Sequence, residues 1–153
     1  MATEIERKFL VIGDAWKAAT PVLICQGYLS RRQDHVVRIR IVQDSAFLTI
    51  KGVSSGASRP EFEYPIPLED AKRLLEFCDQ PPITKHRRHI LVDGLALDVD
   101  EFLGNNAGLV IAEVELESED QDISLPEWVG EEVTCDARYF NSNLNQHPFN
   151  SWT

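Results

Sequence analysis

Charged residues separated by a single residue recur along the chain, and this spacing constrains the fold more than any other feature. The chain begins with the run Glu4-Ile5-Glu6-Arg7-Lys8, and pairs of like charge with the same spacing return later. These later pairs are Arg38 and Arg40, Glu61 and Glu63, Lys85 and Arg87, Asp98 and Asp100, and Glu113 and Glu115. Side chains alternate between the two faces of a β-strand, so each pair lies on one face. The pattern predicts strands with one charged face and one apolar face.

Two interpretations of this pattern differ in where the charged face lies. An ordinary antiparallel sheet also alternates polar and apolar residues, with its polar face in water. Like charges side by side repel each other, however, and these pairs recur. Acidic pairs suit a divalent cation and basic pairs suit a polyanion. The set therefore favours a site that binds a metal together with a phosphate chain.

Most of the chain is predicted to be strand. The predicted strands are 4–12, 22–32, 35–43, 45–51, 61–67, 84–92, 95–102 and 110–118, and short links between them indicate antiparallel neighbours. Helical patterns occur at 69–78, 126–132 and 137–144. The fold class is therefore α+β.

A barrel accounts for both faces of these strands. With the charges inside, the apolar alternate residues form an outer layer that helices or a second subunit would cover, so a homodimer is one option. Candidates for the lumen include six bases, namely Lys8, Arg38, Arg40, Lys51, Lys85 and Arg87. They also include seven acids, namely Glu4, Glu6, Glu61, Glu63, Asp100, Glu113 and Glu115. A sheet curled into such a barrel would have a polar lumen and helices packed on the outside.

Composition excludes several other classes of protein. The formal net charge of −10 argues against a nucleic-acid or anionic-membrane surface. Cys25, Cys78 and Cys135 are odd in number and widely spaced, which argues against a disulfide framework or a zinc site. No P-loop motif, signal peptide or apolar membrane span is visible. We expect one domain over 1–153, located in the cytoplasm.

The ordered motifs resemble the CYTH, or triphosphate tunnel metalloenzyme, superfamily. Its N-terminal E-x-E-x-K is matched by Glu4, Glu6 and Lys8. Its later R-x-R, E-x-E, K-x-R, D-x-F and E-x-E-L motifs match Arg38 and Arg40, Glu61 and Glu63, Lys85 and Arg87, Asp100 and Phe102, and Glu113, Glu115 and Leu116. The C-terminal region from Trp128 to Asn141 is similar to that of the short bacterial members. The resemblance implies an eight-stranded antiparallel β-barrel with helices packed on the outside. This barrel would form a tunnel in which bases hold a linear triphosphate and carboxylates hold metal ions.

The resemblance also implies roles for individual side chains. One or two Mg²⁺ or Mn²⁺ ions would be held by carboxylates, because these hard cations prefer oxygen ligands. The implied metal ligands are Glu4, Glu6, Glu61, Glu63, Asp100, Glu113 and Glu115. The implied triphosphate-binding residues are Lys8, Arg38, Arg40, Lys51, Lys85 and Arg87. Catalysis would involve Lys51, Tyr28, and Glu113 or Glu115, one of which would orient the attacking water.

Two points stay open on the sequence alone. Tyr28 shares a strand face with Gln26 and Ser30, so it could reach the lumen near Lys51 and assist proton transfer, or it could simply pack. The favoured function is metal-dependent hydrolysis of a small triphosphate, inorganic tripolyphosphate first. The alternatives are a class IV-type adenylate cyclase, a thiamine-triphosphatase and a non-catalytic polyphosphate-binding module.

Overall fold

All strand pairings are antiparallel in a computed structural model of the protein, which describes residues 3–152. The strands in this range are β1 (Thr3–Val11), β2 (Val22–Arg31), β3 (His35–Val42), β4 (Ser45–Gly52), β5 (Ser58–Ile66), β6 (Ile83–Val92), β7 (Leu95–Phe102), β8 (Val110–Glu115) and β9 (Val129–Glu132). The α-helices in the same range are α1 (Leu68–Leu75) and α2 (Asn141–Gln146), and the rest is loops and short 3-10 turns.

The sheet closes into a barrel because β1 pairs along both of its edges. One edge pairs with β8, from Glu6 opposite Glu115 to Leu10 opposite Ile111. The other edge pairs with β5 at residues 3–5 and, further along, with β9. The closed ring runs β1-β5-β4-β3-β2-β6-β7-β8 and returns to β1. The predicted eight-stranded antiparallel barrel is confirmed.

The ninth strand corrects one sequence-based expectation. A helix was expected over 126–132, but Val129–Glu132 form β9, which pairs with the second half of β1. Arg7 strengthens this pairing, because its guanidinium group donates to both carboxylate oxygens of Glu132, at 2.9 and 2.7 Å. Four residues are too few to show a strand period, and the pairing with β1 decides their conformation. The expected helix over 137–144 is in fact a 3-10 turn followed by α2.

Tight hairpins fix the register of neighbouring strands. Asp93 and Gly94 link β6 to β7, and both have positive φ, 50° and 81°. This backbone suits the twist of a two-residue hairpin, and Gly94 adopts it without strain. The register then places Arg87 opposite Asp100 and His89 opposite Asp98. Lys85 and Arg87 of β6 consequently lie on the same face as Asp98 and Asp100 of β7, toward the lumen.

The outer face of the barrel is apolar and is covered over much of its area. One cluster joins Val99, Val114 and Leu116 to Trp16, which lies in the turn after β1. A second joins Ile39 of β3 and Ala46 of β4 to Ala71 of α1. Burial of these residues is the main stabilising contribution of the outer layer. The predicted packing of a helix on the outside is confirmed for α1.

One end of the lumen is apolar. Residues that continue the inward-facing positions of β1, β6, β7 and β8 meet the segment after β9 at this end. The cluster contains Leu10, Ile83, Phe102, Leu109, Ile111, Val133, Tyr139 and Leu144. The C-terminal segment thus packs across the inner end of the barrel, and the charged part of the lumen opens in the other direction.

Candidate active site

The charged faces of the barrel strands converge on one cavity. Its volume is about 180 Å³, room for about six waters or a short phosphate chain at roughly 30 Å³ per water. The predicted residues that line it are Glu4, Glu6, Lys8, Tyr28, Arg38, Arg40, Lys51, Glu61, Glu63, Lys85, Arg87, Glu113 and Glu115. The inward orientation of the charges, on which the tunnel prediction depends, is present in the structure.

Carboxylates of β1 and β8 lie side by side on the lumen face of these two paired strands. Glu6 lies opposite Glu115, and Lys8 lies opposite Glu113. Burial and the Glu113 carboxylate together raise the pKa of Glu6 to about 8. Burial would also raise the pKa of Glu113, but Lys8 and Arg87 lower it well below its usual value. Two carboxylates this close resist simultaneous ionisation, and a bound cation would remove that cost.

The two arginines of β3 are compensated to different degrees. Arg38 donates to Thr49 at 3.2 Å and to Glu63 at 3.4 Å, while its Nε is buried without a partner in residues 3–152. Arg40 donates from Nε to Gln26 Oε1 at 2.8 Å and forms no ion pair with any residue in that range. Burial and the nearby Arg38 and Arg87 lower the pKa of Arg40 to about 9. An anion bound here would find guanidinium donors that are already desolvated.

Asp100 lies behind the cavity and does not line it. The residue is 1% exposed, and its carboxylate accepts from Arg87 Nε at 2.7 Å and lies 2.7 Å from Lys85 Nζ. Burial would raise the pKa of Asp100, but these two cations lower it. Both oxygens contact cations and the residue lies outside the cavity lining, so this placement does not fit the metal-ligand role implied for Asp100. Its contacts hold Lys85 and Arg87 in position instead.

Lys51 and Tyr28 both reach the lumen. Lys51 Nζ lies 3.1 Å from both oxygens of Glu4 and 3.3 Å from Glu61 Oε2. Tyr28 is 4% exposed, and its hydroxyl accepts a long hydrogen bond of 3.4 Å from Gln26 Nε2. Both side chains are therefore placed where substrate oxygens could meet them.

Sequence reasoning missed several cavity residues. Asp98, Arg59, Phe140, Asn141 and Ser142 also line the cavity. Asp98 belongs to a recognised charged pair and shares the face of Asp100, so the alternation could have identified it. The residues 140–142 lie in a segment with a helical pattern, and that pattern does not show that the segment reaches the lumen. They reach the lumen only because the C-terminal segment docks at the inner end.

The donor set of the cavity suits a hard cation. Within residues 3–152, the lining contains carboxylates but neither histidine nor cysteine. Over the same range, no three His, Cys, Asp or Glu residues converge closely enough to enclose an ion by themselves. Mg²⁺ keeps several waters and usually shares its ligands between one or two carboxylates and substrate phosphates. The residues present fit such an ion. Separately, no helix within 3–152 is long and apolar enough to cross a membrane.

The barrel and its charged lumen place the chain in a known class. The model of the CYTH domain family matches residues 2–146. The chain belongs to the CYTH domain family, as its motif order indicated.

Relatives and solved structures make the comparison more specific. A protein of Acetivibrio thermocellus named inorganic triphosphatase is 48% identical over 154 residues and covers 99% of both chains. A Nitrosomonas europaea protein of the same name is 38% identical over 146 residues, 93% of this chain and 96% of its own. The crystal structure of an inorganic triphosphatase superposes with a TM-score of 0.70 at 35% identity, over 95% of both chains. A Hippeastrum protein at 17% identity shares the fold, with a TM-score of 0.59 over 75% of this chain and 80% of its own.

Proposed function

We propose that this protein is a divalent-metal-dependent phosphohydrolase that cleaves inorganic tripolyphosphate to pyrophosphate and phosphate. The observation that carries the proposal is the composition of the lumen, where buried guanidinium groups lie beside several carboxylates. The guanidinium group of Arg40 is the clearest case, because it has no carboxylate partner in residues 3–152. This combination suits a polyanion that arrives with a cation. The names of the two relatives support the same substrate.

Substrate binding is assigned to the basic side chains of the lumen. Arg38, Arg40 and Arg87 can donate in pairs to phosphate oxygens, whereas Lys8, Lys51 and Lys85 act as point charges along the chain. Several of these cations are already bound to carboxylates, for example Lys51 to Glu4. A triphosphate with its metal would exchange those internal ion pairs for contacts with phosphate.

Metal binding is assigned to carboxylates on β1, β5 and β8. The proposed set is Glu4, Glu6, Glu61, Glu63, Glu113 and Glu115, and the proposed ion is Mg²⁺ or Mn²⁺, as one or two ions. When bound, the ion neutralises phosphate charge and lowers the pKa of coordinated water. Asp100 is left out of this set because it is 1% exposed and, unlike Glu113, does not line the cavity.

Glu115 is the better candidate for orienting the attacking water. Both oxygens of Glu113 are engaged, one with Lys8 and the other with Arg87. Glu115 is exposed at the cavity and has no ion pair within residues 3–152. Its carboxylate is therefore free to accept a hydrogen bond from water. Lys51 and Tyr28 would stabilise or protonate the leaving phosphate oxygen.

The test is a substrate panel with metal control. Phosphate release would be measured from tripolyphosphate, ATP, thiamine triphosphate and pyrophosphate, with Mg²⁺, Mn²⁺ or EDTA. We expect rapid release from tripolyphosphate and none in EDTA. Phosphate release in EDTA would show that hydrolysis does not require a divalent metal ion and would contradict the proposed metal sites. Cyclic AMP formed from ATP would instead identify a cyclase, and binding of tripolyphosphate without turnover would identify a binding module.

Location and assembly stay predictions of the sequence. The reducing cytoplasm suits the three separate cysteines, and a homodimer would cover the exposed Phe62 and Tyr64 on the outer face of β5. Sedimentation of the purified protein at several concentrations would test the second prediction.

A further inference from the structure

Two amide side chains join the basic residues of the lumen to the C-terminal segment. Gln26 is fully buried on β2, and Asn141 is the first residue of α2. Gln26 Oε1 accepts from Arg40 Nε at 2.8 Å, and Gln26 Nε2 donates to Asn141 Oδ1 at 3.1 Å. Asn141 Oδ1 also accepts from Lys85 Nζ at 2.9 Å. The result is one chain of hydrogen bonds from Arg40 through both amides to Lys85.

The donors and acceptors in this series of hydrogen bonds allow only one orientation of each amide. Arg40 and Lys85 carry donors and no acceptors, so each must meet a carbonyl oxygen. Gln26 must therefore turn its amide nitrogen toward Asn141, whose oxygen receives both donors. Each side chain fixes the next, so Gln26 fixes the direction of Arg40, and Asn141 fixes that of Lys85 together with Asp100, which lies 2.7 Å from Lys85 Nζ.

Neutral amides do here what carboxylates do elsewhere in the lumen. Lys8, Lys51 and Arg87 are held by glutamates or aspartates. Gln26 holds Arg40 without cancelling its charge. A carboxylate in the same place would repel the phosphate that the guanidinium group has to receive. An amide orients the cation and leaves its charge for the ligand.

We propose that Gln26 and Asn141 are positioning residues, which orient Arg40 and Lys85 toward the triphosphate and make that orientation depend on docking of the C-terminal segment. This proposal rests on the proposed function, since it assumes that these cations contact the substrate. It adds two residues to the site that neither touch the reacting atoms nor carry charge.

The decisive variant is Gln26→Glu, which preserves shape and the acceptor for Arg40 but adds a negative charge. We expect its thermal stability to equal or exceed that of the wild type, because the introduced carboxylate would pair with Arg40. Its affinity for tripolyphosphate, measured by calorimetry in EDTA, should fall by at least about tenfold. Gln26→Met, which removes both polar ends, should also lose affinity and in addition lose stability, since it strands a buried guanidinium group.

Asn145 supplies a matched control for Asn141. Asn145 also ties α2 to the barrel, by accepting from Arg31 at 2.8 Å and donating to the Pro81 carbonyl at 2.8 Å, but neither partner lines the cavity. Asn141→Ala should raise the Kd for tripolyphosphate about tenfold or more, whereas Asn145→Ala should leave it within about threefold while lowering thermal stability. Asn141→Asp, which keeps the acceptor for Lys85 but adds a negative charge to the lumen as Gln26→Glu does, should not recover the affinity lost in Asn141→Ala.

Two outcomes would overturn the proposal. The first is wild-type affinity in Gln26→Glu. The second is an equal loss of affinity in Asn141→Ala and Asn145→Ala, which would mean that any loosening of α2 weakens binding. Because binding is measured without metal, failure of the wild type to hydrolyse tripolyphosphate would count against the proposed reaction and not against this positioning role.

Discussion

In the part of the chain that the structure describes, some cationic side chains of the lumen are paired with carboxylates and others are not. The unpaired ones are those that an anionic ligand would engage most readily. Lys51 already lies against Glu4 and Glu61. Within residues 3–152, Arg40 has only the neutral Gln26 as a side-chain hydrogen-bond partner. A phosphate group at Arg40 would displace no internal ion pair. A phosphate contact with Arg40 should therefore contribute more net binding free energy than one with Lys51, which must first lose its ion pairs.

Arg40→Ala tests this difference. We expect the kcat/KM for tripolyphosphate to fall by about tenfold to a thousandfold, because a charge-assisted contact in a water-poor site is lost. Thermal stability should hold or rise, since burial and neighbouring arginines already disfavour the charged form, as the lowered pKa of Arg40 indicates. Phosphate release and thermal unfolding are the measurements. Arg73→Ala, on the exposed face of α1, is the control and should change neither. Normal kinetics in Arg40→Ala would remove this residue from the site.

Glu6→Gln tests the repulsion between carboxylates through its pH dependence. The folded-state pKa of Glu6 is raised from 4.5 to about 8, so its contribution to stability is present below pH 4.5 and is lost as pH rises through 8. The substituted amide cannot ionise. In EDTA, we expect the variant to match the wild type near pH 4 and to be more stable near pH 9, because a pKa difference of one corresponds to about 1.4 kcal/mol. Denaturant unfolding at both pH values measures the difference. Glu117→Gln, at an exposed site, should show no such gain, and a wild type as stable as Glu6→Gln at pH 9 would contradict the argument.

Whole elements were predictable where their pattern was periodic. The barrel strands that carry the charged pairs alternate charged and apolar residues, so both their conformation and their inward face could be predicted from the sequence. β9 could not be read in this way, because four residues show no period and its conformation depends on β1. Phe140 and Asn141 lie in a segment with a helical pattern, but their place at the lumen depends on packing of the C-terminal segment and could not be predicted. Asp100 was assigned to the correct face of β7, but only the structure shows that its carboxylate contacts Lys85 and Arg87.

The face assignment of β8 can be tested with two neighbouring residues. Glu115 lines the cavity, and Val114 is fully buried in the outer apolar layer. Glu115→Gln should preserve the fold and lower metal-supported turnover by about a hundredfold. Val114→Asp should do the reverse and cost about 3 kcal/mol or more, because it places an unpaired charge among apolar side chains. Thermal shift and phosphate release would be compared for both. An unfolded Glu115→Gln beside a folded, inactive Val114→Asp would mean that the barrel faces the other way.

At the scale of the whole molecule, an acidic exterior encloses basic residues. The chain carries a net charge of −10, yet six lysines and arginines of the proposed binding set line one cavity. A small polyanion that enters the cavity would meet these bases.

Binding of the proposed substrate should therefore stabilise the whole barrel. Thermal unfolding would be followed in EDTA with increasing tripolyphosphate, pyrophosphate or sulfate. At about a hundred times its Kd, tripolyphosphate should add about 2.7 kcal/mol to the free energy of unfolding. Pyrophosphate at the same concentration should add less, because it reaches fewer of the cations, and sulfate least. Equal shifts for all three anions would indicate general screening of charge and not a site built for a triphosphate.

Because β1 closes the barrel by pairing with both β5 and β8, it should be among the last strands to fold. The β3–β4 and β6–β7 hairpins join residues that are close in sequence, while Lys8 pairs with Glu113 across most of the chain. Closing so long a loop costs entropy before its contacts form, so local hairpins should form early and β1 should join late. Glu4, Glu6 and Lys8 arrive with that strand. In a refolding experiment, tripolyphosphate binding should therefore appear only in the last kinetic phase, together with full protection of the β1 amides from hydrogen exchange.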